Sequence, residues 1–120
     1  MRDPTRGGLA TTLNEIAEAT GLGIVIQEAA LPVSAEVRVA SELLGVEPLY
    51  IANEGVAVVV VRESESAGLL RALKRHPLAR RAVIIGEVMA KPAAKVIMDT
   101  RVGTQRIIDM ATAEILPRIC

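Results

Sequence analysis

The sequence predicts an α+β domain, in which a mixed, mostly antiparallel sheet carries packed helices. Two observations point to this class. Segments with helical spacing of apolar residues alternate with strand-like segments as far as residue 80. Beyond that point, short strand-like segments follow one another with only turns between them. Alternation favours helices laid on a sheet, and consecutive strands favour antiparallel hairpins.

Three segments have the pattern of helices. Residues 9–20 place their apolar side chains on one helical face, and Gly21 ends the run. Ser34 is an N-cap for a second helix, "AEVRVASELL", which Gly45 terminates. A third helix is expected to open at Ser64 and to end before Pro77.

Five segments read as strands, namely 23–31, 56–62, 81–90, 94–100 and 104–110. The segment at 56–62, "VAVVVVR", is continuously apolar, which is typical of a strand buried on both faces. The last two segments flank the turn "RVG" and predict a hairpin. The domain is therefore expected to span residues 1–110, with residues 111–120 as a flexible tail.

Composition excludes several classes of protein. The chain has 120 residues, the size of one domain, and only 1% aromatic residues, so platforms for stacking nucleic-acid bases are lacking. Its 14 basic and 14 acidic residues leave no surplus charge for a phosphate backbone or an acidic membrane. No apolar run is long enough to span a bilayer, and a single cysteine suits a reducing compartment. We therefore expect a cytoplasmic protein.

The stretch "RDPTRGGLATTLNE" at 2–15 is the first candidate site. Gly7 and Gly8 precede a helix, so backbone N–H groups, the helix dipole and Arg6 form a candidate cradle for an anion or phosphate. Asp3 and Thr5 are positioned to cap the helix or to hold a metal-bound water. The alternative interpretation is an ordinary turn before a helix.

The stretch "ANEG" at 52–55 is the second candidate. Glu54 lies at the lip of the predicted buried strand, where partial desolvation would suit a general base, and Asn53 is beside it. An ordinary polar turn is the alternative.

The third candidate is the only cysteine, Cys120, which is the last residue and follows Pro117 and Arg118. A terminal thiol is a nucleophile on a movable arm, and Arg118 favours the thiolate. The alternative is that its position has no functional meaning.

Taken together, "MRDPTRGGLATTLNEIA", "ANEG" and "RIIDMATAEILPRIC" resemble the C-terminal half of the HypE family of hydrogenase maturation proteins, within the aminoimidazole ribonucleotide synthetase superfamily. The resemblance implies that superfamily's C-terminal domain fold and an ATP-dependent carbamoyl dehydratase. HypF carbamoylates the terminal thiol, the thiocarboxamide is dehydrated to a thiocyanate, and the cyano group passes to iron on the HypC–HypD complex. The iron belongs to the nickel–iron hydrogenase site.

The resemblance also assigns roles. Cys120 is the carrier and Glu54 the base that removes an N–H proton. The other predicted residues bind the phosphates, orient the amide or contact magnesium, namely Asp3, Thr5, Arg6, Gly7, Gly8, Glu15 and Asn53. No metal site is predicted within this chain, because most of the pocket for ATP and Mg²⁺ belongs to the family's N-terminal half, as does the homodimer interface.

This chain alone is therefore expected to bind ATP weakly and to be inactive. Thr104 stands where the family typically has the second glycine of the hairpin turn. Two other functions remain open. In the first, the domain is a non-catalytic module whose tail docks into partners. In the second, it is part of a related ATP-dependent kinase or synthetase.

Overall fold

The computed structural model describes residues 1–111. It contains three α-helices, α1 (Gly8–Thr20), α2 (Ala35–Leu44) and α3 (Glu63–Arg75). Four strands accompany them, β1 (Gly23–Gln27), β2 (Gly86–Met89), β3 (Val96–Asp99) and β4 (Gln105–Ile107). Short 3₁₀ turns occupy Glu28–Ala30, Pro48–Tyr50 and Pro77–Ala79.

The strands form one mixed sheet in the order β2-β1-β3-β4. β1 is antiparallel to β2 and parallel to β3, and β3 is antiparallel to β4. The predicted α+β class and the 101–103 hairpin are confirmed. The expectation that all final strands form consecutive hairpins is wrong for β2 and β3, because β1 lies between them.

The core lies between α1 and the sheet. Each strand exposes alternate side chains to opposite faces, so β1 and β3 direct one set of side chains toward the helix. The buried apolar residues are Ala10, Leu13, Ala17, Ile24, Ile26, Leu49, Val96, Met98 and Ile108. All are aliphatic or methionine, as the near absence of aromatic residues requires.

Capping residues in the sequence correctly predicted the C-terminal end of α1 and both ends of α2. Ser34 caps α2, where its Oγ accepts from the N–H of Val37 at 3.3 Å. Gly21 and Gly45 end α1 and α2 at φ values of 70° and 66°, a conformation that glycine adopts without steric cost. The part of the chain that the structure describes contains no helix long and apolar enough to cross a membrane.

The predicted buried strand at 56–62 is wrong. Only Val58 makes a β-bridge, to Arg2, and Val60 is 50% exposed. An apolar run becomes a strand only where neighbouring backbones continue the hydrogen-bond ladder, and a single flanking pair does not continue it. The sequence showed the apolar character of this segment but not whether a partner strand was present.

Thr104 closes the turn between β3 and β4. Its carbonyl accepts from the N–H of Thr100 at 2.8 Å, and the two threonine hydroxyls lie 2.7 Å apart. The side chain of Thr104 therefore contributes a hydrogen bond that a glycine at this position would lack.

Candidate functional site

The candidate site begins at the N-terminus of α1. Gly7 and Gly8 adopt left-handed φ values of 65° and 66°, and no side chain caps the helix. The first N–H groups of a helix have no partners within it, and no side chain accepts from them here. The first turn contains no acidic residue that would oppose an anion.

Gly8 also sets the contact between α1 and the 3₁₀ turn at Pro48–Tyr50. A Cβ at this position would lie 2.7 Å from the carbonyl oxygen of Ile51 and closer still to that of Leu49. Both obstacles are backbone atoms, which a rotamer change cannot move aside. Glycine is therefore required here by close packing as well as by its φ angle.

Backbone hydrogen bonds bring the two predicted stretches together. The N–H of Asn53 donates to the carbonyl of Pro4 at 2.9 Å. Further along, the N–H of Arg2 donates to the carbonyl of Val58 at 2.9 Å, and the N–H of Val58 donates to the carbonyl of Arg2 at 2.7 Å. Pro4 is fully buried between these contacts. The Asp3–Gly8 loop and the Asn53–Glu54 loop thus form one continuous surface.

This surface is open to solvent. The side chains of Asp3, Thr5 and Arg6 on one loop, and of Asn53 and Glu54 on the other, are all exposed. The expectation that burial desolvates Glu54 is wrong for this chain, because no buried strand follows the loop. Chemically, the surface offers a cation, helical N–H donors, an amide and a carboxylate within neighbouring segments.

Glu15 is paired with Arg2 in this structure. Its Oε2 lies 2.6 Å from Nη1 of Arg2, and both side chains are about half exposed. This exposed pair contributes little to stability, on the order of 0–1 kcal/mol. The role of Glu15 toward phosphate or magnesium requires this pair to exchange for the ligand, and it stays a prediction.

Thr11 was missed by sequence reasoning. Its Oγ1 is buried and has no hydrogen-bond partner within residues 1–111. The side chain packs directly against Gly7, whose Cβ would lie 2.8 Å from that of Thr11. A buried hydroxyl without a hydrogen-bond partner destabilises the fold, and a rearrangement that supplied a partner would remove that penalty. Its position beside the two glycines was the only signal in the sequence.

Tyr50 is the last residue of the 3₁₀ turn at Pro48–Tyr50. Burial, and then the carboxylate of Glu47, raise the pKa of its hydroxyl above the ordinary value of about 10.0. Arg106 opposes this shift and also pairs with Glu47. Asp109 is close enough to contribute a smaller upward effect through its charge. Tyr50 therefore lies where the chain leaves the sheet after β4.

Among residues 1–111, neither a cluster of metal-ligating side chains nor the cleft described next brings the predicted residues together. Across residues 1–111, no group of three or more His, Cys, Asp or Glu side chains could hold a metal ion. A cleft of about 240 Å³ lies between α2 and β3, where Arg38 and Met98 are among its lining residues. It contains none of the predicted site residues. Cys120 lies outside the described residues, as do Pro117 and Arg118.

Comparisons with known proteins agree on one family. The family described as "AIR synthase related protein, C-terminal domain" matches residues 1–99. Carbamoyl dehydratase HypE of Cupriavidus necator is 51% identical over 120 residues, which are 100% of this chain and 34% of that protein. The chain thus spans about a third of the length of the curated relatives it matches.

Solved structures give the same result. A hydrogenase maturation protein HypE solved in complex with ATP superimposes with a TM-score of 0.90 at 42% identity, over 99% of this chain and 37% of that one. A HypE–HypF complex superimposes with a TM-score of 0.86 at 44% identity, over 92% of this chain and 35% of that one.

Proposed function

Since the chain belongs to the family of AIR synthase related C-terminal domains, we propose that it is the C-terminal domain of an ATP-dependent carbamoyl dehydratase of hydrogenase maturation. The reaction converts S-carbamoyl-cysteine at Cys120 to S-cyano-cysteine, which supplies the cyanide ligands of nickel–iron hydrogenase. The observation that carries the proposal is the Asn53–Pro4 hydrogen bond of 2.9 Å, which joins residues 3–8, the glycine loop, to residues 53–54, the acidic loop.

The glycine loop fits the phosphates of ATP. The uncapped start of α1, the glycines at φ 65° and 66° and the exposed Arg6 together offer an anion N–H donors and a positive charge. The buried hydroxyl of Thr11, which has no hydrogen-bond partner within residues 1–111, lies against Gly7. ATP supplies one thing in this reaction, the conversion of the amide oxygen into a leaving group.

The acidic loop provides the remaining chemistry. Dehydration removes the oxygen and both N–H protons of the thiocarboxamide and leaves a carbon–nitrogen triple bond. Glu54 accepts one N–H proton, the second leaves with the departing phosphate, and the amide of Asn53 orients the substrate or a phosphate oxygen. An exposed carboxylate is a modest base in water. Exclusion of solvent around it, by the substrate and the rest of the protein, strengthens it as a base.

Cys120 serves as the carrier in this proposal. Sulfur attacks an activated carbamoyl group readily and later leaves as a good leaving group. The proposed donor is HypF, and the proposed acceptor is the HypC–HypD complex.

The full-length protein acts as a cytoplasmic homodimer. Magnesium accompanies ATP, but residues 1–111 offer it no ligand cluster, so no step here depends on it.

Mass spectrometry tests the proposal. The full-length protein is incubated with HypF, carbamoyl phosphate and ATP, and the modified residue is located by fragmentation. We expect a carbamoyl group on Cys120 and then the loss of one water from that adduct when ATP is present. Cys120→Ala should abolish both signals. A carbamoyl group located on another residue would refute the assignment.

A further inference from the structure

Pro4 carries the only side chain of the glycine loop that the protein encloses. It is less than 2% exposed, whereas Asp3 and Thr5 on either side of it are exposed. Proline suits a buried position in a loop, because its ring restricts φ and because it has no N–H group that would need an acceptor inside the protein. The glycine loop is therefore anchored by a buried ring within an exposed stretch.

The carbonyl of Pro4 holds the acidic loop. It accepts from the N–H of Asn53 at 2.9 Å. On one side of Pro4, Arg2 and Val58 exchange two backbone hydrogen bonds. On the other side, Gly8 closely faces backbone carbonyls of the segment that leads into the acidic loop. Pro4 thus lies in the middle of the contacts that join the two segments.

We propose that Pro4 is a positioning residue, whose buried ring fixes the glycine loop before a ligand arrives and whose carbonyl fixes the acidic loop relative to it. This inference rests on the proposed function. Pro4 has no charge and no proton to offer a substrate. Its role is to set the relative placement of two exposed side chains, Arg6 and Glu54, which the proposed reaction uses.

Loss of the ring should weaken the binding of ATP more than it slows the chemical step. A loop that ATP must first order binds it less tightly, because part of the binding free energy is used for the ordering. The backbone carbonyl that accepts from Asn53 is retained in every substitution of Pro4, so the loop bound to ATP can regain its conformation. An effect of this kind raises KM for ATP and changes kcat little.

The test compares Pro4→Ala with Val96→Ala in the full-length protein. Each change removes two carbon atoms from a side chain that is less than 2% exposed, and Val96 lies on β3, outside both loops. We expect amide hydrogen exchange of Asn53 to be roughly two- to fivefold faster in Pro4→Ala, the factor that matches the freedom a proline withholds from a loop. Equal exchange rates of Asn53 in the two variants would overturn the proposal.

The kinetics of water loss provide the second readout. Each variant is carbamoylated on Cys120 and then given ATP at a series of concentrations. KM for ATP should be roughly two- to fivefold higher in Pro4→Ala than in Val96→Ala, and kcat should agree within about twofold. A merely structural role lowers the amount of folded protein and leaves KM unchanged. Equal KM values, or a fall in kcat without a rise in KM, would therefore overturn the proposal.

Pro4→Val replaces Pro4→Ala if the alanine variant does not fold. Valine fills a similar volume, but it does not restrict φ as proline does and it brings an N–H group to a buried position. The expected changes in Asn53 exchange and in KM are the same, and the same results would overturn the proposal.

The two proposals fail separately. If the parent protein forms no carbamoyl adduct at all, the proposed function is refuted, and the role of Pro4 toward ATP is refuted with it. The exchange comparison still decides, independently, whether Pro4 anchors the two loops.

Discussion

The backbone N–H of Asn53 donates to the carbonyl of Pro4 over 2.9 Å, and through this bond two loops separated by almost fifty residues share one surface. Gly8 maintains the adjacent contact, since its α-carbon faces the carbonyls of Leu49 and Ile51. The predictions below test this arrangement first and the chemistry second.

Replacing Gly8 should disrupt the arrangement. Gly8→Ala introduces a Cβ against two backbone carbonyls in addition to the strain of a positive φ. Gly21→Ala is a matched control, because Gly21 has φ +70° but nothing within 4 Å of its added Cβ. We expect Gly8→Ala to lower the free energy of unfolding by about 1–3 kcal/mol more than Gly21→Ala does. Urea denaturation measures both, and equal losses would contradict the packing role.

Tyr50 should titrate above its ordinary value. It is the only tyrosine and there is no tryptophan, so ultraviolet absorbance of the 120-residue chain reports this hydroxyl alone. Burial and Glu47 raise the pKa of Tyr50 in the folded chain. The associated stability is therefore complete below the unfolded pKa of about 10 and is lost as pH rises through the folded value.

Glu47→Gln supplies the control for this titration. It removes a carboxylate that raises the pKa of Tyr50 and leaves Arg106, which lowers it, without its partner. The pH midpoint of the Tyr50 titration should be lower in Glu47→Gln than in the parent chain. In urea this midpoint should return to the ordinary value. A native midpoint equal to the midpoint in urea would contradict the environment described for Tyr50.

Removal of the proposed base should separate the two chemical steps. In Glu54→Gln, carbamoylation of Cys120 should proceed, but ATP-dependent loss of water should slow by roughly a hundred- to ten-thousand-fold, the usual contribution of a general base. The carbamoyl form then accumulates, which intact-protein mass spectrometry detects. Glu65→Gln, an exposed position on α3, makes the same change of charge and should behave as the parent protein. Unimpaired water loss in Glu54→Gln would remove Glu54 from the mechanism.

The sequence predicted features that depend on local chemistry. The ends of α1 and α2 follow from Ser34, Gly21 and Gly45, because caps act over one helical turn. The β3–β4 hairpin follows from the turn at 101–103. Family resemblance, carried by motifs at both ends and in the middle, led to the C-terminal domain of HypE.

Features that depend on distant partners were not predictable in the same way. The valine-rich segment at 56–62 has strand propensity, but propensity does not show whether a neighbouring backbone is in place. The insertion of β1 between β2 and β3 is likewise a non-local choice. Asn14 did carry a usable signal, since an amide among the apolar positions of a helix needs a partner. In the structure that partner is the carbonyl of Ile108, which accepts from the Asn14 amide at 2.8 Å, and nothing in the sequence identified it.

The most direct test of the central claim follows the oxygen of the carbamoyl group. The full-length protein is carbamoylated on Cys120 with a group that carries ¹⁸O at its carbonyl, and unlabelled ATP is then added. We predict that the label appears in inorganic phosphate as the thiol gains a cyano group, because phosphorylation of that oxygen makes it leave. Label released as water, or retained on the protein while ATP is consumed, would contradict the account.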